Sequence, residues 1–499
     1  MQYLLSLLIW LPIVAGVYVM CCGNAKTARY VSLLALLLSL LLCIPLVVGF
    51  STTGYQMQFV EQLAWLPQFG IEYKLGVDGF SMPLIVLTTF TTFIVILTSW
   101  SSIQTKTAQY FAAFLIMQGL LVGVFSALNA VLFYIFWEAS LIPMYLIIGI
   151  WGSSNRVYAA IKFFLYTLLG SLMMLAAFLY LAWQAGTFDI LTFYGVPLTM
   201  MAQILIFVAF FLGFAVKVPM WPVHTWLPDA HTEAPAGGSI ILAAILLKLG
   251  AYGFLRFTLP IVPDAAQYLA WPMIILSLVA VVYVALVAIV QTDVKRLIAY
   301  SSISHMGFVT LGFFVLYLIA TNTGDVAQAA LAFEGGIFVM ISHGFISGAL
   351  FAGVGFIYDR LHTREIKDFG GIVNSMPIFA AFFMLFAMAN AGLPGTSGFV
   401  GEFMVIVGSF KAGFWIAFAA ATTLVFGAAY TLWMYKRVIF GSVANEKIAS
   451  LQDIRGFELL AFSLLGFAVL FFGVYPMPIL EILHSSVEHL LNLSVMSKL

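Results

Sequence analysis

Four ionisable side chains lie deep inside apolar stretches of the sequence: Glu138 in FYIFWEASLIPMY, Lys217 in FAVKVPMWP, Lys248 in AAILLKLGAYG and Glu402 in GFVGEFMVIVGSF. At the centre of a membrane helix each charge costs about 2.5–3.5 kcal/mol on insertion scales, about 10–14 kcal/mol together. That sum rivals the whole stability of an ordinary domain, so these groups are paired, hydrated or functional. Two acids and two lysines of balanced charge on four separate stretches have the make-up of a proton relay. Burial disfavours a charged lysine in general, and an approaching carboxylate restores it, so a lysine whose partner advances and retreats is a proton switch. Between these charges stand His305 in YSSISHMGF and His343 in MISHGFISG, with Ser301 at i−4 and Ser347 at i+4 on the same helical faces. Imidazole is the side chain best suited to pass protons near neutral pH. The plainer reading keeps Glu138 and Lys217 as a buried ion pair, lets Lys248 and Glu402 snorkel to an interface, and treats each histidine as a packing residue.

The elements that must hold these groups follow from composition. Of 499 residues 63% are apolar and 8% are charged, against roughly 25% charged in a soluble domain, and the mean hydropathy is +1.10. Uncharged runs such as 30–60, 79–105, 107–137, 265–292, 297–324 and 369–401 each exceed the roughly 20 residues that span a bilayer. The chain is therefore read as a polytopic membrane protein. Long apolar runs without period-two alternation exclude a barrel and leave an all-α fold. About 14 spans are expected, near 3–20, 31–50, 79–100, 110–128, 130–150, 158–183, 201–223, 238–258, 267–290, 296–317, 327–357, 376–410, 413–435 and 456–475. With the N-terminus outside, one set of loops gathers Lys26, Arg29, Lys106, Arg156, Lys162, Lys295, Arg296, Arg360, Arg364, Lys367, Lys436, Arg437, Lys447 and Arg455, and the other only Lys74, Arg256, Lys411 and Lys498. This positive-inside asymmetry favours an even helix count with both termini outside. Topology is the expected role of Arg156, Lys162, Lys295, Arg296 and Arg360. No basic n-region precedes the first apolar run, which is expected to stay as a helix.

Breaks add a second clue. Pro219 and Pro222 follow Lys217, and Gly392, Pro394 and Gly395 interrupt the run that carries Glu402. Proline frees carbonyls that lipid cannot satisfy, so both spans should break where they line a polar interior, and two broken helices in corresponding positions suggest duplicated halves. His224 and His231, in VHTWLPDAHTEAP, are read as flanking a hydrated loop or proton vestibule, with a metal site the less favoured choice. In 477–499, Leu480, Leu483, Val487, Leu490 and Leu491 lie opposite Glu481, His484 and Glu488, the pattern of a short interfacial helix. Cys21, Cys22 and Cys43 form neither a disulfide framework nor a metal or iron–sulfur set. With no GxGxxG, Walker or haem-attachment pattern, no redox cofactor or metal is expected in this chain. Lys+Arg and Asp+Glu balance at 20 each, so lipid and other membrane chains, not nucleic acid, are the expected partners.

Five stretches carry a family resemblance over nearly the whole chain: LGVDGFSMPLIVLTT (75–89), FWEASLIPMYLIIGIWG (136–152), FAVKVPMWPVHTWLPDAHTEAPAGGSIILAAILLKLGAYGFLRF (214–257), QTDVKRLIAYSSISHMGF (291–308) and LPGTSGFVGEF (393–403). They resemble the subunit M (chain 4) family of proton-translocating NADH:quinone oxidoreductase, respiratory complex I. This family belongs to a wider antiporter-like group that includes the large subunits of multi-subunit Na⁺/H⁺ antiporters. The resemblance implies 14 helices with two inverted five-helix repeats and broken seventh and twelfth helices. The parts would be 1–105 (helices 1–3), 106–258 (first half, helices 4–8), 259–440 (second half, helices 9–13) and 441–499 (helix 14 and tail). It implies that Glu138 pairs with Lys217, that Lys248 is the central relay, and that His305 and His343 continue the axis towards Glu402. Glutamate there favours subunit M, since sister antiporter-like subunits usually carry lysine. NADH, FMN, iron–sulfur clusters and quinone are then expected in partner subunits, with sister antiporter-like subunits as neighbours. The expected location is the bacterial inner membrane, or the mitochondrial one if organelle-encoded. The large subunit of a multi-subunit Na⁺/H⁺ antiporter is the second reading and a purely structural membrane scaffold the third.

Overall fold

The computed structural model describes residues 3–499. Thirteen of its helices are long and apolar enough to cross a bilayer: Leu4–Cys22, Ala25–Val48, Ser81–Thr98, Thr107–Ser126, Ala130–Trp151, Arg156–Ala185, Met200–Lys217, Ala236–Ile261, Ala270–Ile289, Val294–Thr323, Val326–Leu361, Phe414–Ile439 and Phe457–Val474. Between Val326–Leu361 and Phe414–Ile439 lies the interrupted twelfth span, built from Pro377–Asn390 and Ser397–Ser409. Counting it gives the 14 spans expected. The seventh is also broken where its prolines require: its helix ends at Lys217 and a short helix resumes at Trp226–Glu233. The indole of Trp226 donates to Val216 O at 2.8 Å, so the resumed segment satisfies a carbonyl freed at the break.

Two expectations need correction. Residues 224–235 are not a loop, because Trp226–Glu233 is helical. Pro228 lies in the first turn, where a proline's missing N–H has no intrahelical acceptor to lose. The fold is all-α in its spans, but the segment joining the second and third carries an antiparallel hairpin, Gln58–Leu66 with Ile71–Val77. It turns through Pro67–Phe69 and a left-handed Gly70. The Glu61 carboxylate on this hairpin accepts from the amides of Leu5 at 2.7 Å and Ser6 at 3.2 Å, supplying negative charge to the otherwise unpaired amides of the first span.

Loop-to-loop bonds divide into two sets that agree with the charge asymmetry. On the basic side, Arg29 donates to Ile103 O, Trp151 to Thr105 O, Ser153 N to Glu233 O, and Arg360 pairs with Glu458. On the other side, Lys74 pairs with Asp189, Asn322 donates to Lys411 O, and Lys498 N donates to Asp264. The tail forms the helix Met477–Val495, which buries Leu483, Val487, Leu490 and Leu491 and turns Glu481, His484 and Glu488 outward.

Burial sorts the spans. The apolar windows of the eighth and eleventh are wholly buried and those of the third and tenth are 89% buried, whereas those of the second and fourteenth are 33% buried. Lys248, His343 and His305 ride on three of the four most buried spans.

Candidate functional site

The eighth span is not a uniform α-helix. Leu242–Leu246 forms a π-helical turn, flanked by Ala236–Ile241 and Leu247–Gly253. Such bulges displace carbonyls from the i→i−4 ladder and are frequent at functional sites. Here Ala243 O accepts from the Lys248 ammonium at 2.6 Å. Lys248 is fully buried, and its Nζ lies 2.8 Å from His343 Nδ1. Gly344 lets the eleventh span come this close, since a Cβ there would meet Leu87 at 2.8 Å and Ala244 O at 3.3 Å. Ser347 Oγ, one turn on, lies 3.3 Å from the same Nδ1 and donates to His343 O. The serine expected beside His305 behaves differently, because Ser301 Oγ donates to Ile298 O in its own helix.

From His343 the line continues to the tenth span. The His305 and His343 rings are 5.8 Å apart, centre to centre, and His305 Nδ1 lies 2.5 Å from Glu402 Oε1. Glu402 sits in the second turn of the half-helix Ser397–Ser409 and is 4% exposed. The Nε2 atoms of both histidines lack a protein hydrogen-bond partner. His305, Ser342, His343, Asn390 and Glu402 line one small cleft with room for about one water molecule. Each imidazole thus commits Nδ1 to a fixed neighbour, a lysine in one case and a carboxylate in the other, and leaves Nε2 without a protein partner.

Glu138 and Lys217 stand apart from this line. The resemblance implies that Glu138 pairs with Lys217; the two are not hydrogen-bonded, since neither Glu138 Oε1 nor Lys217 Nζ has a hydrogen-bond partner. The Lys217 ammonium instead lies over the rings of Trp137, at 5.2 Å, and Phe163, at 5.8 Å, cation–π contacts that offset part of its desolvation. It is the last residue of its half-helix, where the negative end of the backbone dipole favours a cation. Gly250 allows the eighth span to cross this end, for a Cβ there would reach Phe214 O at 2.5 Å.

Four features went unread in the sequence. Lys295, assigned a topological role, is 6% exposed, and its ammonium donates to Ala234 O. Together with Arg364, which donates to Thr232 O and pairs with Asp293 at 3.2 Å, it holds the resumed half of the seventh span. His231 is buried without a hydrogen-bond partner and stacks on Phe351 at 4.4 Å, 3° from parallel, so it does not flank a hydrated loop. A cleft lined by Ser99, Tyr110, Gly237, Lys295 and Asp359 opens at the basic end of the eighth span. At the opposite end Arg256 and Asp78 form a buried ion pair of 2.6 Å, with Asp78 also capping the third span through the amides of Phe80 and Ser81. The visible signals were a lysine in QTDVKRL and an aspartate in LGVDGF, each next to a span end.

Residues 127–427, more than half of the chain, match the family described as NADH:quinone oxidoreductase/Mrp antiporter, transmembrane. The chain belongs to this family. All six flagged residues, Glu138, Lys217, Lys248, His305, His343 and Glu402, fall within the matched region. Among relatives, NADH-quinone oxidoreductase subunit M of Rhodobacter capsulatus is 48% identical, with 99% of this chain and 97% of the relative covered. Among solved structures, a chain of respiratory complex I from Thermus thermophilus with bound NADH superposes with a TM-score of 0.88 at 31% identity, covering 99% of this chain and all of that one. A chain of the Mrp complex from Dietzia sp. DQ12-45-1b reaches a TM-score of 0.85 at 20% identity, over 98% of each chain, and shares the fold. The antiporter-family fold puts Lys248, His343, His305 and Glu402 in one buried line and leaves Glu138 with Lys217 as a separate group.

Proposed function

We propose that the chain is the proton-translocating membrane subunit of an NADH:quinone oxidoreductase and itself carries no redox centre. NADH, FMN, iron–sulfur clusters and quinone would belong to partner subunits. The observation that carries this reading is the buried line from Lys248 through His343 and His305 to Glu402. In that line the Lys248 ammonium gives a proton to His343 Nδ1, and His343 releases one from Nε2 through the shared cleft to His305 Nε2. His305 then passes one from Nδ1 to Glu402. The step leaves Lys248 and Glu402 both neutral, so it is reset by uptake at one end and release at the other. The cleft at the basic end of the eighth span favours uptake on that side, and the half-helix carrying Glu402 runs to the opposite side. Moving one charge against 100 mV costs about 2.3 kcal/mol, so a relay without its own chemistry requires an external drive, here quinone reduction in neighbouring subunits.

Glu138 and Lys217 would gate this line electrostatically from the first half, 106–258, with His305, His343 and Glu402 in the second, 259–440, as inverted repeats flanked by 1–105 and 441–499. The location that goes with this reading is the bacterial inner membrane, or the mitochondrial one for an organellar chain, with sister antiporter-like subunits as neighbours. The shared fold with the Mrp complex supports a Na⁺/H⁺ antiporter subunit as the second reading, but identity is 48% to the subunit M relative against 20% there. Purification in mild detergent separates them: NADH-oxidising peripheral subunits are expected to co-purify, and recovery with small antiporter partners alone would reject the oxidoreductase assignment.

Glu138→Gln is expected to lower coupled pumping and quinone-linked NADH oxidation several-fold while the complex still assembles. A gating role needs a charge here, whereas the side chain is half-buried and bears no hydrogen-bonded load at Oε1. Both activities are measured in membranes, with assembly checked on native gels; near-normal pumping would remove Glu138 from the mechanism.

A further inference from the structure

A second polar cavity, of about 550 Å³, lies on the basic side and is lined in part by Trp100, Arg360, Lys447, Arg455, Phe457 and Glu458. It sits level with the ends of three spans, since the third stops at Thr98, the eleventh at Leu361, and the fourteenth starts at Phe457. That is the depth of the lipid headgroups on this side. Arg360 is already committed: its guanidinium grips Glu458 at 2.7 and 3.0 Å and donates to Gln452 O and Phe356 O. Its role is to fix the loop that carries the other two cations. Lys447 and Arg455 make no salt bridge among the described residues, Arg455 donating to Gln452 Oε1, so the pocket's lining carries two cations beyond the Arg360–Glu458 pair. Trp100 packs between Tyr30, at 5.4 Å, and Phe457, at 4.8 Å, an aromatic cluster of the kind found at membrane interfaces. Deeper in the bilayer the second and fourteenth spans expose Leu34, Leu41, Leu460 and Phe467, an apolar wall for acyl chains.

We infer that this pocket binds the phosphate headgroup of an anionic phospholipid in the leaflet on the basic side, held by Lys447 and Arg455 with its acyl chains on the fourteenth span. Basic pockets between membrane helices on this side suit such headgroups, and each nearby cation contributes about a fivefold gain in binding.

The test uses the assembled complex in bilayers containing a photoactivatable phosphatidylglycerol, or phosphatidylcholine bearing the same photoactive group, with cross-linked peptides mapped by mass spectrometry. In the wild type, phosphatidylglycerol is expected to label 447–460 far more than phosphatidylcholine does. Lys447→Gln with Arg455→Gln is expected to reduce that labelling by about thirtyfold, while Lys26→Gln with Lys106→Gln, an equal charge loss on the same side, leaves it unchanged. Excess inorganic phosphate is expected not to compete. Equal labelling by the two lipids, or an equal loss in both double variants, overturns the site. Displacement by inorganic phosphate would make it a free-anion site and overturn the lipid assignment, and protection of 447–460 by a partner subunit in the intact complex would do the same. Lys447 and Arg455 are exposed, so the double variant retains the fold.

Discussion

Lys248→Arg in the assembled complex is expected to cut proton translocation at least about tenfold, an added barrier of about 1.4 kcal/mol, although charge is conserved. Two features act together. Arginine stays protonated inside proteins, so it cannot hand a proton to His343 Nδ1, which lies 2.8 Å from the lysine Nζ. The Lys248 site also fits a compact ammonium: the π-turn presents Ala243 O at 2.6 Å, and the residue has no exposed surface. A planar guanidinium has five donors to place in that space, and Ala243 O with one imidazole nitrogen are the acceptors at hand. Lys217→Arg should fall less, because Lys217 faces the rings of Trp137 and Phe163, which accept a guanidinium well. The measurement is the proton-to-electron ratio of reconstituted vesicles, with NADH oxidation by an artificial acceptor confirming that the peripheral partners are intact. A wild-type ratio for Lys248→Arg would remove the deprotonation step from this lysine and with it the proposed direction of the line.

How much of this was legible in the sequence depended on the range of the interaction. The spans were readable because some twenty apolar residues in a row admit one structure in lipid, and both breaks were readable because Pro219, Pro222 and Pro394 cannot continue a hydrogen-bonded ladder. The loop expected between His224 and His231 is helical instead, because Pro228 falls in the first turn, where its missing N–H has no intrahelical acceptor to lose. Lys248 and Glu402 were flagged by position alone, but nothing local announces the π-turn that turns Ala243 O towards Lys248, since residues 242–246 are ordinary helix formers. The ion pair Asp78–Arg256 joins residues 178 positions apart, and the absence of a direct Glu138–Lys217 bond depends on how far the fifth and seventh spans stand from each other. Periodicity within one helix carries no information about either distance. The hairpin at 58–77 was passed over because it lies in a connection, outside the spans on which the hydropathy argument acts.

The contrast between the two ends of the line gives the second large effect. Lys248 meets His343 through Nδ1, and Glu402 meets His305 through Nδ1, so a titratable group of either sign can close the line against a neutral imidazole. Glu402→Gln keeps the size and one hydrogen bond but neither accepts nor releases a proton, and is expected to lower the proton-to-electron ratio at least about tenfold. Glu402→Asp withdraws the carboxylate by one methylene from a contact now at 2.5 Å. The cleft beside it holds about one water, enough to bridge the gap, so aspartate should keep most of the activity. Glu402→Lys would face His305 as Lys248 faces His343 and should fall between them, limited by the cleft beside it, which has room for about one water. His305→Ala should resemble Glu402→Gln in pumping and also cost stability, because it leaves a carboxylate that is 4% exposed without its partner. Thermal unfolding of the two purified variants separates these contributions. Equal ratios for the Gln, Asp and Lys variants would make Glu402 a passive partner of His305, and the release point would then have to be sought at another group on that side, with the buried pair of Asp78 and Arg256 the first to test.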